Sequence, residues 1–245
     1  MRVLIIIPAY NEEQSIRLVI DELERACGYA DILVVDDGSA DSTAALAEAA
    51  GVAVLRLPYN LGVGGAMRAG YRYALDRGYD VALQVDADGQ HDTRYIGKLV
   101  AAVESADIVI GSRFAGAGTY TSAKFARRLA MRLLAMVVSG LARTRLTDVT
   151  SGFRAANRKA MAIFAVHYPV EYLGDTVESL VIAVRSGCVI RQIPVKMRPR
   201  EYGTASQSSL RALVYLVRAG VALGLALIRR WEPVSAAEVP ERAGV

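Results

Sequence analysis

Asp86 and Asp88 flank Ala87 directly after the apolar run 81–85. In an extended segment, residues two apart project to the same side. Two carboxylates so placed make a hard oxygen site for Mg²⁺ or Mn²⁺, and without a cation they repel each other. Gln90 continues the spacing and adds a neutral carbonyl oxygen. A cation held this way suits the charge of a diphosphate. Asp-Gly is also a plain turn signal, so the weight rests on two companion clusters. Asp36-Asp37-Gly38-Ser39 follows the run 32–35, and Pro8-Ala9-Tyr10-Asn11-Glu12-Glu13 follows the run 3–7. A carboxylate at such a place can accept a hydrogen bond from a nucleobase N–H or a ribose hydroxyl. It can equally cap a helix, as Asp41 or Ser39 would, or sit in a helix's first turn, as Glu12 would.

Asn60-Leu61-Gly62-Val63-Gly64-Gly65-Ala66 opens a helix, and its glycines would let backbone approach a phosphate or sugar. A turn with tight helix packing explains them equally well. The G-x-G-G spacing matches neither the dinucleotide fingerprint nor a phosphate-binding loop ending in Lys-Ser/Thr. No Ser-His-Asp arrangement can be inferred. His91 is the histidine next to a cluster, and His167 before Tyr168-Pro169 reads as structural or exposed. Glu178, on an apolar helix, is either a buried acid facing the site or an ordinary exposed or capping Glu.

The elements that must position these residues alternate. A continuous apolar, β-branched run predicts a strand buried on both faces at 3–7, and further strands are predicted at 31–35, 52–56, 81–85 and 107–110. Helical spacing predicts helices at 15–26, 41–50, 65–77 and 94–104, with Gly78 stopping the third. Strands alternating with helices imply a mostly parallel sheet covered on both faces. Ligands of such sheets lie outside the carboxyl ends of the strands, where all three polar clusters fall. Beyond Gly111 the pattern changes. A long helix is expected at 122–141, with Lys124, Arg127, Arg128 and Arg132 on one side. Phe125, Leu129, Leu133, Met136, Val137 and Leu141 lie opposite. A strand is expected near 150–155, a helix at 176–185 and a strand at 189–195. A last helix at 208–231 carries Arg211, Arg218 and Arg229 on one stripe, and 232–245 reads as a disordered tail.

Composition bounds the class. The 245 residues are 53% hydrophobic with a net charge of +4, which fits a folded chain and gives no case for nucleic acid. Two cysteines, Cys27 and Cys188, exclude a disulfide scaffold and a cysteine zinc cluster. Two histidines argue against a multi-histidine metal site. The N-terminal apolar run is too short for a signal peptide, so a reduced, cytosolic chain is expected. Mean hydropathy is +0.27. The most apolar stretch, 212–228, is interrupted by Arg218 and falls short of the about 20 residues a span requires.

Taken in order, Ile7-Pro8-Ala9-Tyr10-Asn11-Glu12-Glu13, Val35-Asp36-Asp37-Gly38-Ser39, Asn60-Leu61-Gly62, Asp86-Ala87-Asp88-Gly89-Gln90-His91 and Gly111-Ser112-Arg113-Phe114 resemble glycosyltransferase family 2. Asp148-Val149-Thr150-Ser151-Gly152-Phe153-Arg154 narrows the resemblance to dolichol-phosphate mannose synthases and related polyprenyl-phosphate glycosyltransferases. The resemblance implies a GT-A fold. Its Rossmann-like nucleotide-binding sheet would be followed by C-terminal amphipathic helices that associate with a membrane. Residues 1–231 would form one domain, with a nucleotide-sugar half at 1–115 and an acceptor- and membrane-facing half at 116–231.

The implied reaction is inverting transfer of a hexose from a UDP- or GDP-linked sugar to a polyprenyl phosphate, with Mg²⁺ or Mn²⁺. By position, Pro8, Tyr10, Glu12 and Asp37 would hold base and ribose. Asp86, Asp88 and Gln90 would hold the metal. Arg113, Arg127 and Ser151 would lie near the acceptor phosphate, with Arg200 reaching donor or acceptor phosphates. A phosphate monoester is largely dianionic at neutral pH, so it needs cationic steering and no general base. The basic helix at 122–141 would lie on an anionic bilayer, placing the chain peripherally at the cytoplasmic face. A small membrane protein partner or a homo-oligomer is compatible with the apolar C-terminal helix.

Two departures keep the donor open. Val63 stands where mannose synthases carry Lys or Arg, and 174–178 and 200–204 look more like bacterial surface-glycan enzymes. The competing readings are a family 2 enzyme acting on a polysaccharide or other non-lipid acceptor, and a membrane-associated nucleotide-sugar-binding module without turnover.

Overall fold

A computed structural model of the chain describes residues 1–113, 125–169, 175–199 and 224, with backbone alone at 125–130 and 175. The expected helix at 208–231, the tail at 232–245 and Arg200 lie outside the described residues, apart from Gly224.

Seven strands form one sheet in the order β3-β2-β1-β4-β6-β5-β7. They are β1 (Val3–Ala9), β2 (Asp31–Asp36), β3 (Ala53–Arg56), β4 (Val81–Gln84), β5 (Ile108–Ser112), β6 (Arg154–Asn157) and β7 (Ile190–Pro194). The pairings β1–β2, β1–β4, β2–β3 and β5–β7 are parallel, as the alternating pattern predicted. β6 is different. It lies antiparallel between β4 and β5, so the sheet is mixed.

The inner strands β1, β2, β4, β5 and β6 are buried on both faces, whereas the edge strands β3 and β7 are largely half-buried or exposed. Leu4, Ile6, Leu33, Val35, Ala82, Ile108 and Ile110 face one helical layer, made by α3 (Val63–Asp76), α5 (Phe125–Ala142), α6 (Arg158–His167) and α7 (Asp175–Arg185). Ile5, Ile7, Val34, Leu83, Val85 and Val109 face the other. That layer is made by α1 (Ile16–Ala26), α2 (Thr43–Ala49) and α4 (Ile96–Ala102). Helix α1 buries Ile16, Val19, Ile20 and Leu23, the stripe expected from its spacing. Gly78 ends the α3 turn with a φ of +73°, in keeping with its predicted stopping role.

Three expectations are corrected here. Helix α6 escaped the sequence reading, although Asn157 marks its start by accepting a hydrogen bond from the Ala160 N–H. Chain 94–104 is a short α4 flanked by 3₁₀ turns rather than one continuous helix. Helix α5 meets the core through Leu134, Ala135 and Val138, while Leu133, Met136 and Val137 of its expected apolar side are exposed. The expected helix therefore forms, but turned so that a different set of side chains faces α7. Among the described residues, no helix is long and apolar enough to cross a membrane.

Gly38 shapes the exit of β2. Its φ is +74°, and a Cβ there would stand 2.8 Å from the Tyr59 carbonyl carbon. Gly51 also has a positive φ, +83°, but no neighbour within 4 Å. Gly51→Ala is expected to cost only the left-handed strain, about 1–2 kcal/mol. Gly38→Ala adds a backbone clash and is expected to cost at least about 2 kcal/mol. Urea unfolding of the two variants side by side checks the difference.

Candidate active site

The polar clusters meet at the carboxyl edge of the sheet, around β1, β2 and β4. Loop 10–13 after β1 is stitched to loop 39–43 after β2. Asn11 donates its N–H to Ser39 Oγ and accepts from Ala40 N–H, and Glu12 N–H donates to Thr43 Oγ1. Glu13 N–H donates to Asp41, whose carboxylate also accepts from Thr43 N–H at the start of α2. Asp41 thus does the capping expected of it. The Glu12 carboxylate accepts from the Ser15 hydroxyl. Tyr10 is exposed on this floor, and Pro8 is half-buried at the end of β1.

Asp37 is buried, and its carboxylate accepts from Leu61 N–H at 2.7 Å. It thereby draws the Asn60-Leu61-Gly62 loop onto the end of β2. Burial pushes its pKa up, partly offset by the backbone N–H groups of Leu61 and Gly62. Its neighbour Asp36 is also buried, and Oδ1 has no hydrogen-bond partner among the described residues. Polar acceptors therefore crowd this end of the cleft, where a donor from a base or ribose would be met.

After β4 the chain turns rather than continuing extended. Asp88 accepts from Gln90 N–H at 3.0 Å, and Gly89 takes a φ of +72°. The i, i+2 argument for Asp86 and Asp88 is corrected accordingly: Asp88 and Gln90 lie in a tight turn that follows Asp86 rather than in a continuing strand. Asp88 is buried, while the Asp86 side chain is 39% exposed. Among the described residues, no three His, Cys, Asp or Glu side chains gather as a metal cage. Two carboxylates and an amide carbonyl are nonetheless all hard oxygen donors, which fits a cation that shares its ligands with a diphosphate.

The antiparallel β6 brings a second loop to the same edge. Its entrance, 148–153, lies between the exits of β4 and β5, tied by Gly111 N–H to the Phe153 carbonyl at 2.8 Å. A Cβ on Gly152 would stand 2.7 Å from Gln84 Nε2 and 3.3 Å from Asp86 Oδ2. The Asp148 carboxylate, fully buried, takes Arg113 in a two-pronged pair: Nε at 2.7 Å and Nη2 at 2.9 Å. Thr150 Oγ1 accepts from the same guanidinium. Arg154 is 1% exposed and donates to the carbonyls of Ser151, Val149 and Thr176 and to Ser179 Oγ. This buried cation welds the loop to α7.

Gln84 and a Glu22–Arg198 pair were not singled out from sequence, and Asp148 and Gly152 stood there only as members of the 148–154 motif, without a role of their own. Arg198 reaches both Glu22 oxygens at 2.7 and 2.8 Å, and its N–H donates to the Gln90 carbonyl. Asp148 meets Arg113 across 35 residues and Arg198 meets Glu22 across 176, so no local pattern marks those pairings, whereas Gln84 bonds Asp86 only two residues on. Of the expected site residues, the fold assembles Pro8, Tyr10, Glu12, Asp37, Asp86, Asp88, Gln90, Arg113 and Ser151 along one edge. Ser151 is buried, its hydroxyl accepting from Phe153 N–H. The Arg127 side chain lies outside the described residues, as does Arg200. Glu178 is half-buried on α7.

The sequence pattern described as glycosyl transferase family 2 matches residues 4–164, which span the sheet through β6 and α6. The chain belongs to glycosyltransferase family 2. Its similarity to an undecaprenyl-phosphate mannosyltransferase of Micrococcus luteus is 36% identity over 96% of this chain and 98% of that one. A polyprenol monophosphomannose synthase of Mycolicibacterium smegmatis is 33% identical over 88% of this chain and 85% of that one. Among solved structures, glucosyl-3-phosphoglycerate synthase of Mycobacterium tuberculosis, in complex with Mn²⁺ and UDP-glucose, superposes with a TM-score of 0.66 at 20% identity. The match covers 92% of this chain and 78% of that one. The single mixed sheet between two helical layers is thus the family 2, GT-A arrangement.

Within this family 2 site, the Arg113–Asp148 pair has a measurable signature. Burial raises the Asp148 pKa, but the Arg113 guanidinium overrides it and holds the carboxyl below its usual range. Its stabilising contribution is therefore complete above the unfolded value near 3.9 and fades as pH falls through the lower folded value. Asp148→Asn is expected to lose about 3–5 kcal/mol at pH 7, with the gap to wild type closing below about pH 4. Urea unfolding of both proteins across pH 3–7 checks this.

Proposed function

We propose that the chain transfers a hexose from a nucleotide diphosphate sugar to the phosphate of a polyprenyl phosphate, with inversion and with Mg²⁺ or Mn²⁺. The observation that carries this reading is the similarity to the Micrococcus mannosyltransferase across nearly the whole of both chains. A mannosyl donor stands first, because both bacterial relatives are named for mannose transfer. UDP-linked hexoses remain in the panel, because a relative of similar extent from Methanococcus voltae is named for N-acetylglucosamine transfer.

In this reading, Tyr10, Asp37, Pro8 and Glu12 hold the nucleoside in the stitched cleft between β1 and β2. Asp86, Asp88 and Gln90 hold the cation, which acts as a Lewis acid on the leaving diphosphate when bound. Arg113 steers the acceptor phosphate, with Asp148 and Thr150 fixing its planar fork. Ser151 sets the shape of that loop, and Arg127 and Arg200 supply further positive charge. A phosphate oxygen forms the new bond to the anomeric carbon as the bond to the diphosphate oxygen breaks on the opposite face, which inverts the centre. The dianionic acceptor has no proton to lose, so no side chain acts as base. The chain would work peripherally at the cytoplasmic face of a membrane. The exposed Leu133, Met136 and Val137 and the neighbouring Arg132 on α5 support that placement.

The test is transfer of labelled sugar from GDP-mannose and a set of UDP-hexoses to a short-chain polyprenyl phosphate. Phosphoglyceric acid serves as a soluble acceptor, and each reaction is run with Mg²⁺ and with EDTA. A lipid-linked product from one donor, lost in EDTA, is expected. Product on the soluble acceptor alone would sink the lipid assignment, and undiminished transfer in EDTA would sink the cation.

A further inference from the structure

Asp86 is held from two sides before any cation arrives. Gln84, buried in β4, donates its side-chain amide to Asp86 Oδ1 at 2.8 Å. His91, buried beyond the turn, accepts the Asp86 backbone N–H on Nδ1 at 3.1 Å. That acceptor role leaves the ring proton on Nε2, which lies 3.4 Å from Asp86 Oδ2. The ring cannot easily rotate away. It stacks on Phe153 with centroids 4.5 Å apart and planes 18° from parallel, and Phe153 is itself fully buried. Gly152 closes the remaining side, where any side chain would meet the Gln84 amide and the Asp86 oxygens.

Neutral donors on a carboxylate orient it without cancelling its charge, and each oxygen keeps a lone pair for a cation. We propose that Gln84 and His91 are positioning residues that preset the Asp86 carboxylate for the metal, with His91 as the tautomer protonated on Nε2. The proposal rests on the reading of Asp86 as a metal ligand. Outer-shell partners of this kind are typically worth 10–100-fold in metal affinity. The wall that carries them, Gly152-Phe153, belongs to the same loop as Asp148. The metal end and the acceptor end of the site are therefore built on one piece of chain.

The test titrates Mn²⁺ into the full chain with UDP or GDP present and reads free Mn²⁺ by electron paramagnetic resonance, with no turnover involved. His91→Phe keeps the stack and removes both nitrogens, and Mn²⁺ affinity is expected to fall about 10–100-fold. His91→Gln restores a donor at the Nε2 position, and His91→Asn restores only the acceptor at the Nδ1 position. Recovery by Gln and not by Asn is expected. Recovery by Asn alone would mean that His91 merely shapes the turn, and His91→Phe binding within twofold of wild type would overturn the proposal outright.

Thermal melts report whether the variants fold. Should the His91 variants fail to fold, Gln84→Met decides: a loss of about tenfold supports the proposal, and wild-type affinity overturns it. Absence of Mn²⁺ uptake by the wild-type chain with either nucleotide would remove the metal reading and this proposal together. Normal wild-type uptake with unaffected variants removes the positioning role alone.

Discussion

The direction of one strand governs this site. Parallel strands deliver only their exits to the carboxyl edge of a sheet. β6 runs the other way between β4 and β5, so it delivers its entrance there instead. That reversal inserts the loop 148–153 between the turn after β4 and the start of the chain after β5. Gly152 then rests against Asp86, and Asp148 meets Arg113. The register Leu83↔Ala155 and Ile110↔Arg154 sets how far the loop protrudes. A one-residue slip would turn every β6 side chain to the opposite face, removing Arg154 from the carbonyls it ties.

The electrostatics follow from that packing. The edge collects Asp36, Asp37, Asp86, Asp88 and Asp148, a concentration of like charge that would be unfavourable if all were equally placed. Each is managed differently. Asp148 is fully buried and carries its own cation, Arg113. Asp37 is buried against backbone N–H groups. Asp86 keeps partial exposure and accepts from the Gln84 amide. Asp37 and Asp148 are thus tied into the construction of the edge, while Asp86 stays partly exposed. Arg154, a buried cation satisfied by three carbonyls and a hydroxyl, ties the 148–153 loop to α7 without using one of those acids.

Agreement between sequence pattern and fold varies along the chain. The family 2 match at 4–164 spans β1 to β6 and also takes in α5 and most of α6; sequence and fold agree closely over β1 to β4. In the later part, helix α5 turned a different face to the core than its hydrophobic pattern implied. Leu133, Met136 and Val137 are as apolar as Leu134, Ala135 and Val138. A helix apolar on most of its surface has no unique inward face by pattern alone. Packing against α7 made the choice.

By itself, the sequence determined the alternating layers, the strands β1 to β5 and the three polar clusters at the exits of β1, β2 and β4. Those features are written in local periodicity and in residues only a few positions apart. Even the cap by Asp41 and the turn at Gly89 belong to this local class. The tertiary structure alone decided that β6 runs antiparallel, that Asp148 rather than a nearer acid holds Arg113, and that Gly152 and Phe153 close on Asp86 and His91. It also decided that Arg198 reaches back to Glu22 across 176 residues. Contacts of that span carry no periodic signal, because they depend on where the sheet places each strand end.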